Sequence, residues 1–231
     1  MKRHTILFDI NETVLDLSTL KPKFKTAFGD ESVMATWFSM LLHSSTVCIM
    51  TDVHTNFANL AGTMLESIAA RKEINLSDVA RDNILKGFAS LSPHTDIKPA
   101  LAKLQSAGFR TVAFSNSSLN LISTQMNNAG LMEYFDEIIS VEETGSFKPD
   151  PKVYKFAAKK LDQPLESLRL VATHDWDTHG ALSVGMKAAY INRSGAIYHP
   201  LYRQPDIYAT TMGDIVKQII EKYEVTLKNT L

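Results

Sequence analysis

The sequence predicts an α/β fold: a parallel-sheet core with a helical bundle inserted after its first strand. Two observations carry this. Short, near-continuous apolar runs recur, each closed abruptly by polar residues, which suits strands buried on both faces. Between the first run and the others lies a long stretch whose apolar residues recur at helical spacing. The 231 residues exceed one compact domain and fall short of two full ones, which leaves room for an insertion.

The first strand is Thr5-Ile6-Leu7-Phe8, running straight into Asp9. From 17 to 93 the periodicity is helical (Leu60, Met64, Ile68; Ile84, Phe88), with Ser77-Asp78 and Ser92-Pro93 as helix starts or breaks. We therefore expect residues 1–16 and 94–231 to form the core and 17–93 a helical cap. Ser32 to Thr51 has no charged residue and reaches bilayer length, but it carries seven Ser or Thr and His43. With Trp37, Met40, Leu41 and Ser44 at helical spacing, it reads as an amphipathic helix of the bundle and not a membrane span. The core resumes near Ile97, with a helix from Pro99 closed by Gly108. Further strands are Thr111–Phe114 into Ser115-Asn116, Ile138–Val141, Leu168–Val171 into Ala172-Thr173-His174-Asp175, and Ala188–Ile191. Together they describe a Rossmann-like sheet, whose ligands sit at the carboxyl ends of its strands.

Composition narrows the function classes. Apolar residues make up 45% and charged residues 21%, which excludes general disorder. With 24 Lys plus Arg against 25 Asp plus Glu, the net charge of −1 gives no case for nucleic acid or an anionic membrane. The sole Cys48 forms no internal disulfide, and a cytoplasmic location fits. The basic start Met1-Lys2-Arg3-His4 precedes an apolar run too short for a signal peptide.

Four polar constellations fall at or near strand ends: Asp9-Ile10-Asn11-Glu12-Thr13; Ser115-Asn116; Lys148-Pro149-Asp150-Pro151 with Tyr154; and His174-Asp175-Trp176-Asp177 before Gly180-Ala181. Asp9 at the end of a buried strand reads as a carboxylate nucleophile or as a helix cap. Ser115 and Asn116 read as hydrogen-bond donors or as an ordinary turn. Lys148 reads as the cation holding Asp9 ionised or as a loop charge. Asp177 reads as an acid that orients or activates water, or as a helix cap.

Taken in this order, with the cap between the first and second, the four constellations resemble the haloacid dehalogenase-like superfamily over essentially the whole chain. The Lys148-to-Tyr154 segment, Trp176-Asp177 and Ile191-Asn192-Arg193 look most like its type II (L-2-haloacid) dehalogenase branch. The resemblance implies Asp9 as nucleophile, with Lys148, Asp177, Ser115 and Asn116 as catalytic partners. It implies Asn11, Thr13, Trp37, Phe38, Leu41, Tyr154 and His174 around a small anionic substrate. It also implies no cofactor, and a homodimer through the cap, where Met40 or Leu42 could serve.

Superfamily phosphatases carry an acid two residues after the nucleophile to protonate an alkoxide. Here that position is Asn11, which transfers no proton, whereas a halide leaves without one. The acid expected four residues before Asp177 is Thr173. A magnesium-dependent phosphatase would instead use Asp9, Asn11 and Asp177 as its metal site, with Asp175 an alternative ligand. A phosphonate-cleaving variant would need a cap lysine such as Lys21, Lys23 or Lys25. A third reading is a degenerate, non-enzymatic member. It is motivated by departures from the branch pattern: Phe38 where its cap Arg belongs, Ala172 for a Ser and His174 for an Asn.

Overall fold

The computed structural model describes residues 4–228, so the basic start at residues 1–3 lies outside the described residues. In chain order the strands are β1 (Thr5–Phe8), β2 (Leu15–Asp16), β3 (Ser92–Pro93), β4 (Arg110–Ser115), β5 (Glu137–Ser140), β6 (Leu168–Ala172), β7 (Lys187–Ile191) and β8 (Ile207–Ala209). The α-helices are α1 (Lys21–Phe28), α2 (Val33–Thr51), α3 (Phe57–Arg71), α4 (Asp78–Phe88), α5 (Ile97–Ser106), α6 (Leu119–Asn128), α7 (Pro151–Lys160), α8 (Asp175–Ser183) and α9 (Met212–Lys228).

Six strands pair in the order β5-β4-β1-β6-β7-β8, every neighbouring pair parallel. All five expected core strands are present. Their side chains alternate between two buried faces: Ile6 and Phe8 join one apolar cluster, Leu7 the other. Because β1 lies between β4 and β6, the carboxyl ends of these three strands open on a single crevice, where the strand order reverses.

Helices α1 to α4 occupy the insertion, started by side-chain caps at Asn56 and Ser77 and ended in places by left-handed residues such as Gly29. Helix α2 is long and apolar enough to cross a bilayer by length and composition alone. It buries Val33, Met34, Trp37, Phe38, Leu41, Ser45 and Cys48, a stripe that replaces the expected Trp37/Met40/Leu41/Ser44 face. Met40 and Leu42 are half-buried against the core; the outward apolar residues are Val47 and Met50.

Three features differ from the sequence expectation. Ser92-Pro93 pairs antiparallel with Leu15-Asp16, tying the two ends of the insertion together, where the sequence reads only a break. Helix α5 starts at Ile97 rather than Pro99, because proline fits within a first turn whose N–H groups have no helical partner. Strand β8 was not expected; three residues with one buried side chain, Ile207, give too little pattern to read.

Candidate active site

Asp9 follows β1 directly, and its N–H donates to Val171 O at 3.0 Å, which fixes it at the head of the crevice. Its carboxylate is divided between two donors. Oδ1 accepts from Lys148 Nζ at 3.1 Å, and Oδ2 accepts from the Thr13 hydroxyl at 2.7 Å. Thr13 Oγ1 in turn accepts from Thr173 N at 2.9 Å, so the loops after β1 and β6 are locked together through the Asp9 partner.

Lys148 is 1% exposed and donates to three acceptors: Asp9 Oδ1, Phe114 O at 2.9 Å and Asp177 Oδ2 at 2.9 Å. An ammonium has three N–H donors, so all are spent inside the protein. Burial alone would pull the Lys148 pKa down, but the Asp177 and Asp9 carboxylates outweigh it and hold the group above the ordinary lysine value. Asp177, wholly buried in the first turn of α8, is pushed up by burial against the opposing pull of Lys148. Its Oδ1 accepts from Tyr154 OH at 2.6 Å. Burial, reinforced by the Asp177 charge, pushes the Tyr154 phenol well above its ordinary value, so it stays a neutral donor.

The other expected residues fall into two groups. Asn116 supports Lys148, its Oδ1 accepting from Lys148 N at 2.8 Å, while Ser115 Oγ accepts from Ser117 N at 3.2 Å. Asn11 donates to Ser117 Oγ at 3.3 Å and accepts from Gln125 Nε2 at 3.2 Å. His174 reaches the Asp9 carboxylate: Nε2 is 3.9 Å from Asp9 Oδ2 and 3.5 Å from Glu12 Oε2. Phe38 lies beside it, ring centres 6.3 Å apart. Three residues expected to line a substrate pocket are instead sealed from it. Trp37 is buried with its indole N–H on Ala61 O at 2.9 Å, Leu41 is buried in the same cluster, and Tyr154 acts on Asp177. Of the cap lysines, Lys21 lines the adjoining cavity, whereas Lys23 packs over Gly87.

Sequence reasoning missed Glu12, Ser117 and Gln125. Gln125 is wholly buried and also donates to Phe88 O at 2.9 Å, so it links Asn11 to the end of α4. Glu12 has φ of 64°, in the left-handed region, and burial raises its carboxyl, with His174 opposing. A hydrophobic-to-polar pattern does not reveal either one, because their partners come from distant parts of the chain. A cavity of about 390 Å³ opens beside the pair, lined by both Glu12 and His174 and by Lys21, Met34 and Arg193.

The alternative magnesium set does not fit this donor geometry. Lys148 takes one oxygen each of Asp9 and Asp177, Thr13 and Tyr154 take the other two, and Asn11 is turned to Ser117 and Gln125. Asp175 accepts from Trp176 N and His199 N, away from Asp9. Among the described residues no group of three or more His, Cys, Asp or Glu is placed to hold a metal ion.

A family model described as haloacid dehalogenase-like hydrolase matches residues 4–168. The chain is 24% identical over 214 residues to an (S)-2-haloacid dehalogenase of Pseudomonas sp. (strain YL), covering 92% of each. A second, from Pseudomonas fluorescens, is 23% identical, over 94% of this chain and 97% of that one. In structure, the chain resembles an L-2-haloacid dehalogenase from Xanthobacter autotrophicus with chloropropionic acid covalently bound, with a TM-score of 0.87 and 19% identity over 94% and 98% of the two chains. Its likeness to a HAD phosphatase from Thermococcus onnurineus is lower, with a TM-score of 0.63 at 21% identity over 95% and 98%.

Proposed function

The chain belongs to the haloacid dehalogenase-like hydrolases, and from that premise we propose that it hydrolyses the carbon–halogen bond of a small 2-haloacid through an ester on Asp9. The observation that carries the reading is Asn11. The position from which a proton would be delivered to an oxygen leaving group holds an amide engaged with Ser117 and Gln125. A halide needs no such proton.

In the first step Asp9 Oδ2, the oxygen on the side of His174, bonds to C2 as the carbon–halogen bond breaks and the halide carries away the electron pair. In the second, water adds to Asp9 Cγ. Asp177, its basicity raised by burial, takes one water proton and returns it to the departing 2-hydroxyacid oxygen; the remaining proton leaves to solvent. Lys148 beside Oδ1 stabilises the negative charge that builds there as water adds. No step is routed through a metal. Residues 17–93 act in this reading as a cap over the crevice, and a homodimer would meet through the outward face of α2, at Val47 and Met50.

The test is incubation with 2-chloropropionate or bromoacetate in EDTA, with halide assayed. Wild type should release halide on repeated turnover and Asp9→Asn should not. Equal release from the two proteins would end the proposal for those substrates.

A further inference from the structure

We propose that Gln125 is a positioning residue for the reaction: it fixes the side-chain amide of Asn11 so that N–H, and not carbonyl oxygen, is turned to an anion at the carboxyl end of β4. The identity of that anion, a 2-haloacid, rests on the dehalogenation reading.

Where each amide atom sits follows from partners that cannot be reversed. Phe88 O, the last carbonyl of α4, can only accept, so the Gln125 atom 2.9 Å from it is the nitrogen. The same nitrogen lies 3.2 Å from the Asn11 amide, so the Asn11 atom that meets it is Oδ1. Asn11 Nδ2 therefore faces the turn after β4, where it donates to Ser117 Oγ at 3.3 Å. Ser117 does not set this orientation itself, since a hydroxyl accepts as readily as it donates.

Asn116, in the same turn, is held in a parallel way. Its Oδ1 accepts from Lys148 N at 2.8 Å, a backbone donor, so its oxygen too is spent on the protein. Among the described residues Asn116 Nδ2 has no acceptor, and Asn11 Nδ2 has one acceptor for its two N–H groups. Two amides with unspent N–H groups thus stand at the carboxyl end of β4, the end of a parallel strand at which ligands bind. Donors fixed in advance stabilise negative charge there without reorganising, and an Asn11 turned the other way would set a carbonyl dipole against it.

Gln125 is costly where it stands. It is wholly buried on α6 in the apolar stripe with Ile122 and Met126, and its own Oε1 has no partner among the described residues. An aliphatic side chain would bury no orphaned oxygen. Tying α6 to the end of α4 does not require the amide either, because Asn128, one turn further on, donates to Ala89 O at 3.0 Å. What Gln125 adds is the bond to Asn11.

Binding measured without turnover, by calorimetry of 2-chloropropionate on the Asp9→Asn protein, tests this. Gln125→Glu keeps the shape but puts an oxygen where the nitrogen was. That oxygen draws the Asn11 N–H groups to itself and turns Oδ1 towards the anion. The acid should bind about tenfold or more weakly, as expected for a lost charge-assisted hydrogen bond. With Asn11→Ala also present, the same change should alter binding by less than about twofold, because the two residues act as one unit. Gln125→Leu, an arm that stands if the Glu variant does not fold, leaves Asn11 free to turn. It should weaken the acid by about two- to threefold with Asn11 present and leave it unchanged with Asn11→Ala. Asn128→Ala should lower stability in urea and leave acid binding as it was. Unchanged affinity in a folded Gln125→Glu protein overturns the proposal. So does equal weakening in the two Asn11 backgrounds, or weakening of the same size by Asn128→Ala, since Gln125 would then act on the fold and not through Asn11. A wild type that releases no halide, beside an acid affinity that depends on Gln125 only through Asn11, refutes dehalogenation and leaves the positioning role intact.

Discussion

Lys148 is the residue on which the site's charge balance turns, because among the described residues it alone bridges Asp9 and Asp177. Replacing it with Met keeps its length and removes its charge, leaving two buried acids facing each other. Halide release should fall about a hundredfold or more, measured as kcat on a protein checked for folding by circular dichroism. Glu12 offers the opposite kind of test. Glu12→Gly removes the left-handed strain, and urea denaturation should show a gain of roughly 1 kcal/mol. Residues announced themselves in the sequence when they closed an apolar run: Asp9 after β1, Ser115 and Asn116 at the end of β4, His174 and Asp177 after β6. Tyr154 was visible but misplaced, since nothing in a helical position says whether a phenol meets ligand or another side chain. Glu12 was overlooked because its meaning lies in a dihedral angle and in a partner on another strand's loop.

Among elements, the contact between α7 and α8 holds the acid. A Cβ at Gly180 on α8 would meet Tyr154 OH at 2.6 Å and Pro149 Cβ at 2.8 Å, so the helix can approach only because that residue is glycine. Gly180→Ala should cost about 1–3 kcal/mol in urea denaturation, by overpacking, and should lower kcat because the displaced Tyr154 no longer holds Asp177. Strands of the sheet were legible because burial on both faces demands uninterrupted apolar runs. The ribbon of β2 and β3 was not, because two-residue pairing leaves no periodicity, and neither was β8. On α2 the existence of the helix followed from composition, but its buried stripe did not. An apolar helix with few polar positions leaves the choice of inward face to the packing partner, here α3 and its Ala61 carbonyl.

At the scale of the molecule, one apolar cluster runs from the sheet residues Ile6 and Phe8 through Val14, Leu15 and Leu20 to Trp37 and Phe88 in the insertion. The inserted helices therefore share their core with the sheet, which a boundary drawn at 16/17 and 93/94 from sequence does not convey. Asp96 fastens the far side of this junction: it pairs with Arg193 at 2.8 and 2.9 Å and accepts from Met212 N, while Arg193 also donates to Thr13 O. Burial would raise the Asp96 carboxyl, but the Arg193 guanidinium and the Met212 N–H outweigh it and hold its pKa low. A lowered folded value means stability that is present above the unfolded value, about 3.9, and lost as pH falls through the folded one. Asp96→Asn should therefore cost about 2 kcal/mol near neutrality and nearly nothing in strong acid, by urea denaturation at the two pH values.

In the proposed reaction Asp9 becomes the ester and water attacks its carboxyl carbon. A single turnover in heavy-oxygen water, with enzyme in excess over 2-chloropropionate, tests this directly by mass spectrometry of product and of the Asp9-bearing peptide. The heavy oxygen should appear in Asp9, and the hydroxyl of the product should be light, because it comes from the Asp9 carboxylate. A heavy product hydroxyl beside an unlabelled Asp9 would mean that water attacks the substrate itself and that no ester forms on Asp9.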